Sequence, residues 1–123
     1  WESERLFELG GSALEGSFYS NHYATDDPSP VVQQFLTKYQ AKYGALPDSL
    51  AALGYDAAMV AIDAMKRAPD LSGPAIRDAI AATKDFQGVA GKITLDEKRN
   101  AVKPAVVLKV AGGKLEFVTS IAP

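Results

Sequence analysis

The chain has 123 residues, of which 47% are hydrophobic and 23% are charged, a balance that is typical of a soluble globular protein. Its 13 lysines and arginines oppose 15 aspartates and glutamates, and no basic run is long enough to follow a phosphate backbone, so nucleic-acid binding is not expected. No cysteine is present, which excludes disulfides and thiol chemistry. No apolar run reaches the roughly eighteen residues that a transmembrane helix needs.

The first residues predict a short helix and then a strand. Leu6 and Leu9 lie at helical spacing within residues 2–9, and a pair of glycines follows, as at many helix C-termini. Aromatic side chains in the segment 17–23 favour an extended conformation. A strand is therefore expected soon after the first helix.

Two longer helices are predicted next. Residues 30–43 begin with a proline after Ser29, a typical N-cap, and they stop at Gly44. The central segment 46–69 has Pro47 in its expected first turn and places its apolar residues on one face. These residues are Leu53, Ala57, Val60, Ala61, Ala64 and Ala68, whereas another face carries Asp56, Asp63 and Arg67. The apolar arc is wide, so this helix is expected to be largely buried.

The C-terminal third predicts a last helix and several extended segments. The helix begins at Ser72 and ends near Thr83, and one short extended piece covers residues 87–95. After a polar turn at residues 96–100, Gly112 and Gly113 separate two extended runs, which predicts a β-hairpin over residues 105–121.

This order of elements indicates an α/β fold with little sheet for its helices. A helix that is apolar around most of its circumference needs a layer on each side, and two or three strands cannot provide both layers. The chain is therefore predicted to be a part of a larger fold.

Two segments of the chain resemble a known family. The first, residues 26–68, contains GYDA at positions 54–57, and the second, residues 84–118, contains F-x-G-V-x-G-x-I-T-x-D at positions 86–96. Both resemble the C-terminal part of the branched-chain amino-acid type of periplasmic solute-binding protein, which serves ABC importers. The resemblance implies a portion of a two-lobed, Rossmann-like type I periplasmic binding protein fold, with helices on a mainly parallel sheet and a C-terminal β-hairpin.

The resemblance also divides the chain between the two lobes. The expected stretches are 1–15 for the end of one lobe, 16–103 for the C-terminal part of the other lobe, and 104–123 for a hairpin that returns to the first. The crossings between the lobes, where the hinge would lie, are expected at Gly16 and at Lys103 and Pro104. The partner for the exposed apolar stripes would be the upstream portion of the same protein or, in its absence, an identical chain in a swapped homo-oligomer.

The expected ligand contacts also come from the family. Its side-chain pocket receives the residue five positions before the GYDA tyrosine, which is Leu50 here, although Leu50 can equally be first-turn core. Many relatives have an aromatic residue there, so a leucine leaves the pocket apolar but wider. Tyr19 and Tyr23 would line the cleft because they follow a crossing, whereas Tyr55 is either a ligand contact or a packing residue. The groups that hold an amino-acid head group would lie mostly upstream of this chain.

The function that the resemblance implies is that of the substrate-binding component of an ABC importer in the periplasm. It would capture an amino acid or a similar small carboxylate by hinge closure and deliver it to the transporter permease. The alternative is a ligand-sensing domain of a receptor or regulator with the same fold, which nothing in these residues separates from transport.

Catalysis, metals and cofactors are not expected. The motifs of serine hydrolases, zinc proteases, P-loops and dinucleotide-binding folds are all absent from the sequence. The single histidine, His22, is near Asp26 and Asp27 but lacks the further ligands that a zinc hydrolase would need. The acidic residues at 96 and 97 do not have the spacing of a calcium loop and are interpreted as a solvated turn.

Overall fold

The computed structural model describes residues 4–123, so the first three residues of the expected N-terminal stretch lie outside it. The helices are α1 (Glu4–Gly10), α2 (Pro30–Tyr43), α3 (Ser49–Arg67) and α4 (Gly73–Ala81), and a short 3₁₀ helix covers Gly11–Leu14. The strands are β1 (Phe18–Asn21), β2 (Phe86–Gly88), β3 (Gly91–Leu95), β4 (Ala101–Val102), β5 (Ala105–Ala111) and β6 (Lys114–Ile121).

The strands form two three-stranded sheets, in the orders β1-β5-β6 and β2-β3-β4, and every pair in them is antiparallel. The α/β class and the C-terminal hairpin are confirmed. The mainly parallel sheet that the resemblance implies is not formed within residues 4–123, where all four strand pairs are antiparallel. The expectation of one extended piece over 87–95 is also wrong. Val89 and Ala90 form a turn that folds this piece into the β2–β3 hairpin.

Strand β1 pairs with β5, with Phe18 opposite Lys109 and Asn21 opposite Val106. The strand therefore shares a sheet with the C-terminal hairpin, although the resemblance assigns it to the stretch 16–103 together with the helices. We refer to strands β1, β5 and β6 as the sheet unit and to residues 22–104 as the helical unit.

The ends of the helices follow local signals. Helix α2 has the predicted bounds, and Gly44 after it has a φ of 71°, a left-handed conformation that glycine adopts without strain. The side chain of Asp48 caps α3 by accepting a hydrogen bond from the Ala51 N–H at 2.7 Å. The sequence pattern predicts Pro47 in the first turn of the helix, but Pro47 lies before the cap.

The buried face of α3 differs from the predicted one. Its four buried residues, Ala52, Asp56, Val60 and Ala64, are each four positions apart. Ala57, which belongs to the predicted stripe, is exposed, and the helix is only partly buried. The buried face is rotated toward Asp56 because the carboxylate of this residue has hydrogen-bond partners inside the helical unit.

The sheet unit has a simpler core. Strand β5 alternates between buried and less buried residues, and Val106, Leu108 and Val110 point to the buried side. Gly112 and Gly113 have φ values of 58° and 72°, as a two-residue turn with two left-handed positions requires. The predicted hairpin and its turn are confirmed.

Candidate functional site

The chain passes between the sheet unit and the helical unit twice, and the two crossings are in contact. His22 follows β1 and Lys103 precedes β5, and Lys103 Nζ lies 3.1 Å from His22 Nδ1. The same ammonium group donates to the carbonyl oxygen of Pro104 at 3.4 Å. Because 81 positions separate the two residues, this contact fastens together two distant parts of the chain. Lys103 and Pro104 are the residues at which the resemblance leads us to expect a crossing between the lobes.

Gly16, at which the other crossing was expected, lies next to the sheet unit. Its N–H donates to the carbonyl oxygen of Val110 at 2.9 Å, and the N–H of Val110 donates to Ser17 at 2.9 Å. These bonds continue the pairing of β1 with β5, so Gly16 lies beside the sheet unit and its φ of 79° belongs to the turn that leads into β1.

Asp56 joins the two segments that carry the family resemblance. Its side chain is almost completely buried, with an exposed fraction of 2%. One carboxylate oxygen accepts the N–H of Val89 at 2.7 Å, and the other accepts the N–H of Ala90 at 2.8 Å. The GYDA segment of α3 thus holds the turn between β2 and β3. Neither buried N–H nor the carboxylate is left without a partner.

Two glycines allow this close packing. A Cβ atom on Gly88 would lie 2.7 Å from Asp56 Oδ2, and a Cβ atom on Gly91 would lie 3.1 Å from Pro104 Cδ. The β2–β3 turn therefore contacts Asp56 on one side and the crossing at Pro104 on the other. Burial lowers the pKa of Lys103, and the negative charge of Asp56 opposes that shift.

Tyr23 connects the first crossing to the start of α3. Its hydroxyl group donates a hydrogen bond to the carbonyl oxygen of Pro47, and its ring meets Phe35 edge-on with the centroids 6.5 Å apart. The side chain is buried and belongs to the core of the helical unit. Leu50, three residues after Pro47, is 73% exposed, so the structure does not use it as first-turn core.

The structure does not bring the four expected ligand residues together. Tyr19 packs against the buried Val106 and Leu108 of the sheet unit. Tyr55 stacks on Phe35 with a centroid distance of 4.9 Å and lines an open groove of about 340 Å³ between α2 and α3. Leu50 and Tyr55 are five positions apart on α3, which corresponds to about 140° around the helix axis. These two side chains therefore point in different directions.

The acidic residues of the turns accept hydrogen bonds from backbone N–H groups. Asp26 accepts the N–H of Phe117 at 2.8 Å, and Asp27 accepts the N–H of Ser29 at 2.8 Å. Hydrogen bonds, of which that from the backbone N–H of Asn100 is the strongest influence, lower the pKa of Asp96. Among residues 4–123, no cluster of three or more His, Asp or Glu side chains could hold a metal ion. In the same range no helix combines the length and the hydropathy of a membrane span.

Sequence reasoning missed Asp56 and the contact between His22 and Lys103. Asp56 could have been noticed because it falls four residues from Ala52 and Val60, within an apolar helix and a motif of the family resemblance. The contact between the crossings has no comparable local signal, since its two residues are separated by most of the chain.

Comparison with known proteins covers both segments that carry the family resemblance. The family model described as "Periplasmic binding protein" matches residues 2–114, which include the GYDA segment, the β2–β3 hairpin and both crossings. The chain belongs to the periplasmic binding protein family. The resemblance seen in the sequence is thus confirmed, and the type I fold is supported by solved structures of this family.

Three of these solved structures have high similarity to the chain. The leucine-binding protein LivK of Thermotoga maritima has 41% identity and a TM-score of 0.82, with 97% of this chain and 34% of that chain covered. A putative branched-chain amino acid ABC transporter protein of Rhodospirillum rubrum has 36% identity and a TM-score of 0.84, with 94% and 34% covered. The substrate-binding protein LivJ of Streptococcus pneumoniae, in complex with isoleucine, has 34% identity and a TM-score of 0.74, with 86% and 30% covered. The chain spans about a third of the length of these periplasmic binding proteins.

Proposed function

We propose that the chain is the C-terminal portion of the substrate-binding component of an ABC importer. In the periplasm, the complete protein would capture an amino acid or a similar small carboxylate without catalysis and would present it to the transporter permease. The observation that carries the proposal is the pair of adjacent crossings between the sheet unit and the helical unit, at His22 and Lys103. Two connecting segments that pass side by side between two folded units are suited to act as a hinge.

The two units would belong to different lobes of the complete protein. In this proposal the sheet unit, with residues 4–17 before it, lies in one lobe, and residues 22–104 lie in the other. The pairing of β1 with β5 supports a first crossing after Asn21 in place of Gly16, whereas Lys103 and Pro104 keep their expected place at the second. The remaining parts of both lobes would come from the upstream portion.

Leu50 is the proposed contact for the ligand side chain. It is exposed, apolar and close in sequence to Pro47, which Tyr23 holds against the segment after the first crossing. Among the similar structures, one is a leucine-binding protein and another contains isoleucine. These names and the apolar Leu50 support an aliphatic or moderately bulky ligand. Tyr23 would position this region, whereas Tyr19 and Tyr55 would act through packing.

A thermal-shift screen of the full-length protein tests the proposed ligand class. A ligand at a hundred times its Kd stabilises the native state by roughly 2.7 kcal/mol, so L-leucine, L-isoleucine or a similar carboxylate should raise the Tm. A protein that responded only to sugars or polyamines, and to no amino acid or carboxylate, would contradict the proposal.

The role of Leu50 is tested by a matched pair of variants. Leu50→Ala should weaken binding of the best ligand by about tenfold or more, because a leucine contact in an apolar pocket is lost. Leu71→Ala is the control, since Leu71 is also 73% exposed but follows the end of α3. Equal affinities of the two variants in titration calorimetry would remove Leu50 from the proposed pocket.

The upstream portion of the same protein is the proposed partner of α3. One side of this helix exposes small residues, Gly54, Ala57 and Ala58, which would allow another element to approach closely. Ile62 and Met65 are also more than 40% exposed. The isolated 123 residues should therefore associate, and strand exchange between identical chains is a route to this. A compact monomer at micromolar concentration in sedimentation equilibrium, with cooperative unfolding, would contradict this part of the proposal.

A further inference from the structure

Two consecutive residues after the first crossing are buried in different units. Tyr23 lies in the core of the helical unit. Ala24 belongs to the buried cluster of the sheet unit, together with Val106 and Leu108 of β5. The segment that follows, residues 25–27, therefore begins beside the sheet unit and leads into α2 of the helical unit. We refer to residues 25–27 as the crossing turn.

The crossing turn is bonded to the sheet unit through Asp26. Its Oδ2 atom accepts the N–H of Phe117 on β6 at 2.8 Å. In an antiparallel ladder, hydrogen-bonded and non-hydrogen-bonded pairs alternate, and the N–H groups of the second kind point away from the partner strand. The bond to Asp26 identifies Phe117, which faces Leu108, as a residue of the second kind. Asp26 thus holds the outer edge of β6.

The same turn is bonded to the helical unit through Gln33 of α2. The side-chain Nε2 of Gln33 donates to the carbonyl oxygen of Asp27 at 2.7 Å and to that of Thr25 at 3.3 Å. The turn is closed by a bond of its own, from the N–H of Asp27 to the carbonyl oxygen of Ala24 at 3.3 Å. Gln33, the turn and Asp26 therefore form a continuous hydrogen-bonded path from α2 to β6.

We propose that the crossing turn is a strap that restrains the hinge between the two units, with Gln33 and Asp26 as its two fastenings. The bonds of both fastenings are exposed to solvent. Water can replace them, so they can break and re-form during a rotation of the units without leaving a buried polar group unpaired. The proposal rests on the function proposed above, because a restraint of this kind has a role only if the two lobes move.

The strap differs in place from the other contacts near the boundary. The pairing of β1 with β5 lies inside the sheet unit, and the contact of His22 with Lys103 joins the two crossings to each other. The strap instead joins α2 to β6, which both lie beyond the crossings. It therefore opposes rotations of the two units during which the crossings stay in contact, and loss of a fastening should widen the range of inter-unit positions.

Pulsed electron paramagnetic resonance of the full-length protein without ligand tests this restraint. Spin labels at Lys42→Cys on α2 and Lys114→Cys on β6 report the distance between the units. Gln33→Leu should widen the distribution of this distance, whereas Gln34→Leu, which changes the neighbouring exposed glutamine, should leave it as in the wild type. Asp26→Ala should also widen it. Wild-type distributions in both Gln33→Leu and Asp26→Ala would overturn the proposal.

The double variant tests whether the two fastenings belong to one strap. Side chains that act through a shared path have non-additive effects. Because Gln33 and Asp26 hold opposite ends of the same turn, Gln33→Leu combined with Asp26→Ala should widen the distribution no further than the more effective single change. Additive widening would show two independent contacts and would refute the strap.

Hydrogen exchange of the Phe117 amide provides a second readout. Asp26→Ala removes the acceptor of this N–H, so exchange should become faster. Exchange should also become faster in Gln33→Leu, although Gln33 is bonded to the turn and not to β6. Acceleration in Asp26→Ala alone would show that the turn does not transmit the restraint.

Binding of L-leucine separates the strap from the proposed function. If L-leucine binds and the variants keep the wild-type distance distribution, the strap is refuted while the binding function stands. If no amino acid or carboxylate binds, the proposed function fails, and the distances in the ligand-free protein still decide whether the turn restrains the two units.

Discussion

The contacts inside the sheet unit differ in kind from the contacts inside the helical unit. In the sheet unit, β5 and β6 pair along their lengths from Ala105 opposite Ile121 to Ala111 opposite Lys114, and alternate side chains of β5 form the core. In the helical unit, single polar atoms connect segments far apart in sequence, such as Asp56 with Val89. A change to one side chain should therefore have its most concentrated effect in the helical unit.

The largest expected effect on stability is that of Asp56→Ala. This substitution leaves two buried backbone N–H groups without an acceptor, so the free energy of unfolding should fall by about 3 kcal/mol or more. Urea denaturation of the full-length protein measures the change. Asp26→Ala is the matched control, because Asp26 also accepts a backbone N–H at 2.8 Å but is exposed, so water can replace it. Equal losses in the two variants would show that burial does not set the importance of Asp56.

Gly88→Ala should have an intermediate effect. The added methyl group would lie 2.7 Å from Asp56 Oδ2 and 2.9 Å from Ile93 Cδ1, so either the carboxylate or the strand must move. We expect a loss of about 1 to 3 kcal/mol in the unfolding free energy.

Gly54→Ala provides the comparison within the GYDA segment. Apart from its chain neighbours and the nearby backbone of α3, no atom lies within 4 Å of the Cβ position of Gly54. Alanine favours a helix interior by about 0.5 to 1 kcal/mol over glycine. The variant should stabilise the isolated 123 residues, provided that they do not pack this face against another copy. A gain there together with a loss in the full-length protein would place upstream residues against Gly54. If Gly54→Ala lowered stability as much as Gly88→Ala in both proteins, close packing at Gly88 would not be the cause of the loss seen there.

Of the three substitutions that should lower stability, Asp56→Ala, Gly88→Ala and Tyr23→Phe, the last should have the smallest effect. It keeps the ring that packs against Phe35 but removes the hydrogen bond to the carbonyl oxygen of Pro47, at a cost of about 1 kcal/mol. The exposed Tyr43, which stacks on Tyr39, supplies the control as Tyr43→Phe, and its stability should be unchanged. If thermal unfolding gave the same Tm for both variants, the link between the first crossing and the start of α3 would have no energetic role.

The parts of the fold that the sequence predicts depend on nearby residues. The bounds of α2 follow from Pro30 and Gly44, and the last turn follows from Gly112 and Gly113, because these residues restrict or permit particular backbone angles. The same local reasoning places the start of α4 at Ser72, which is the N-cap before Gly73 and accepts the Ala75 N–H.

The parts that were missed depend on distant partners. Asp56 looks like a solvent-facing charge until the Val89 and Ala90 N–H groups are known, and they lie 33 and 34 positions away. The pairing of β1 with β5 also joins distant parts of the chain, so no local pattern indicates it. The family resemblance directs attention to Lys103 and Pro104, whereas the contact of Lys103 with His22 required the structure.

Hinge closure between the two units is the central claim, and a distance measurement tests it most directly. The chain has no cysteine of its own, so spin labels can be placed in it at Lys42→Cys in the helical unit and Lys114→Cys in the sheet unit. A second pair, Lys42→Cys with Glu97→Cys, lies within the helical unit and serves as the control. Pulsed electron paramagnetic resonance of the full-length protein should show the first distance shortening at saturating ligand while the second is unchanged. Ligand binding with neither distance altered would contradict the account.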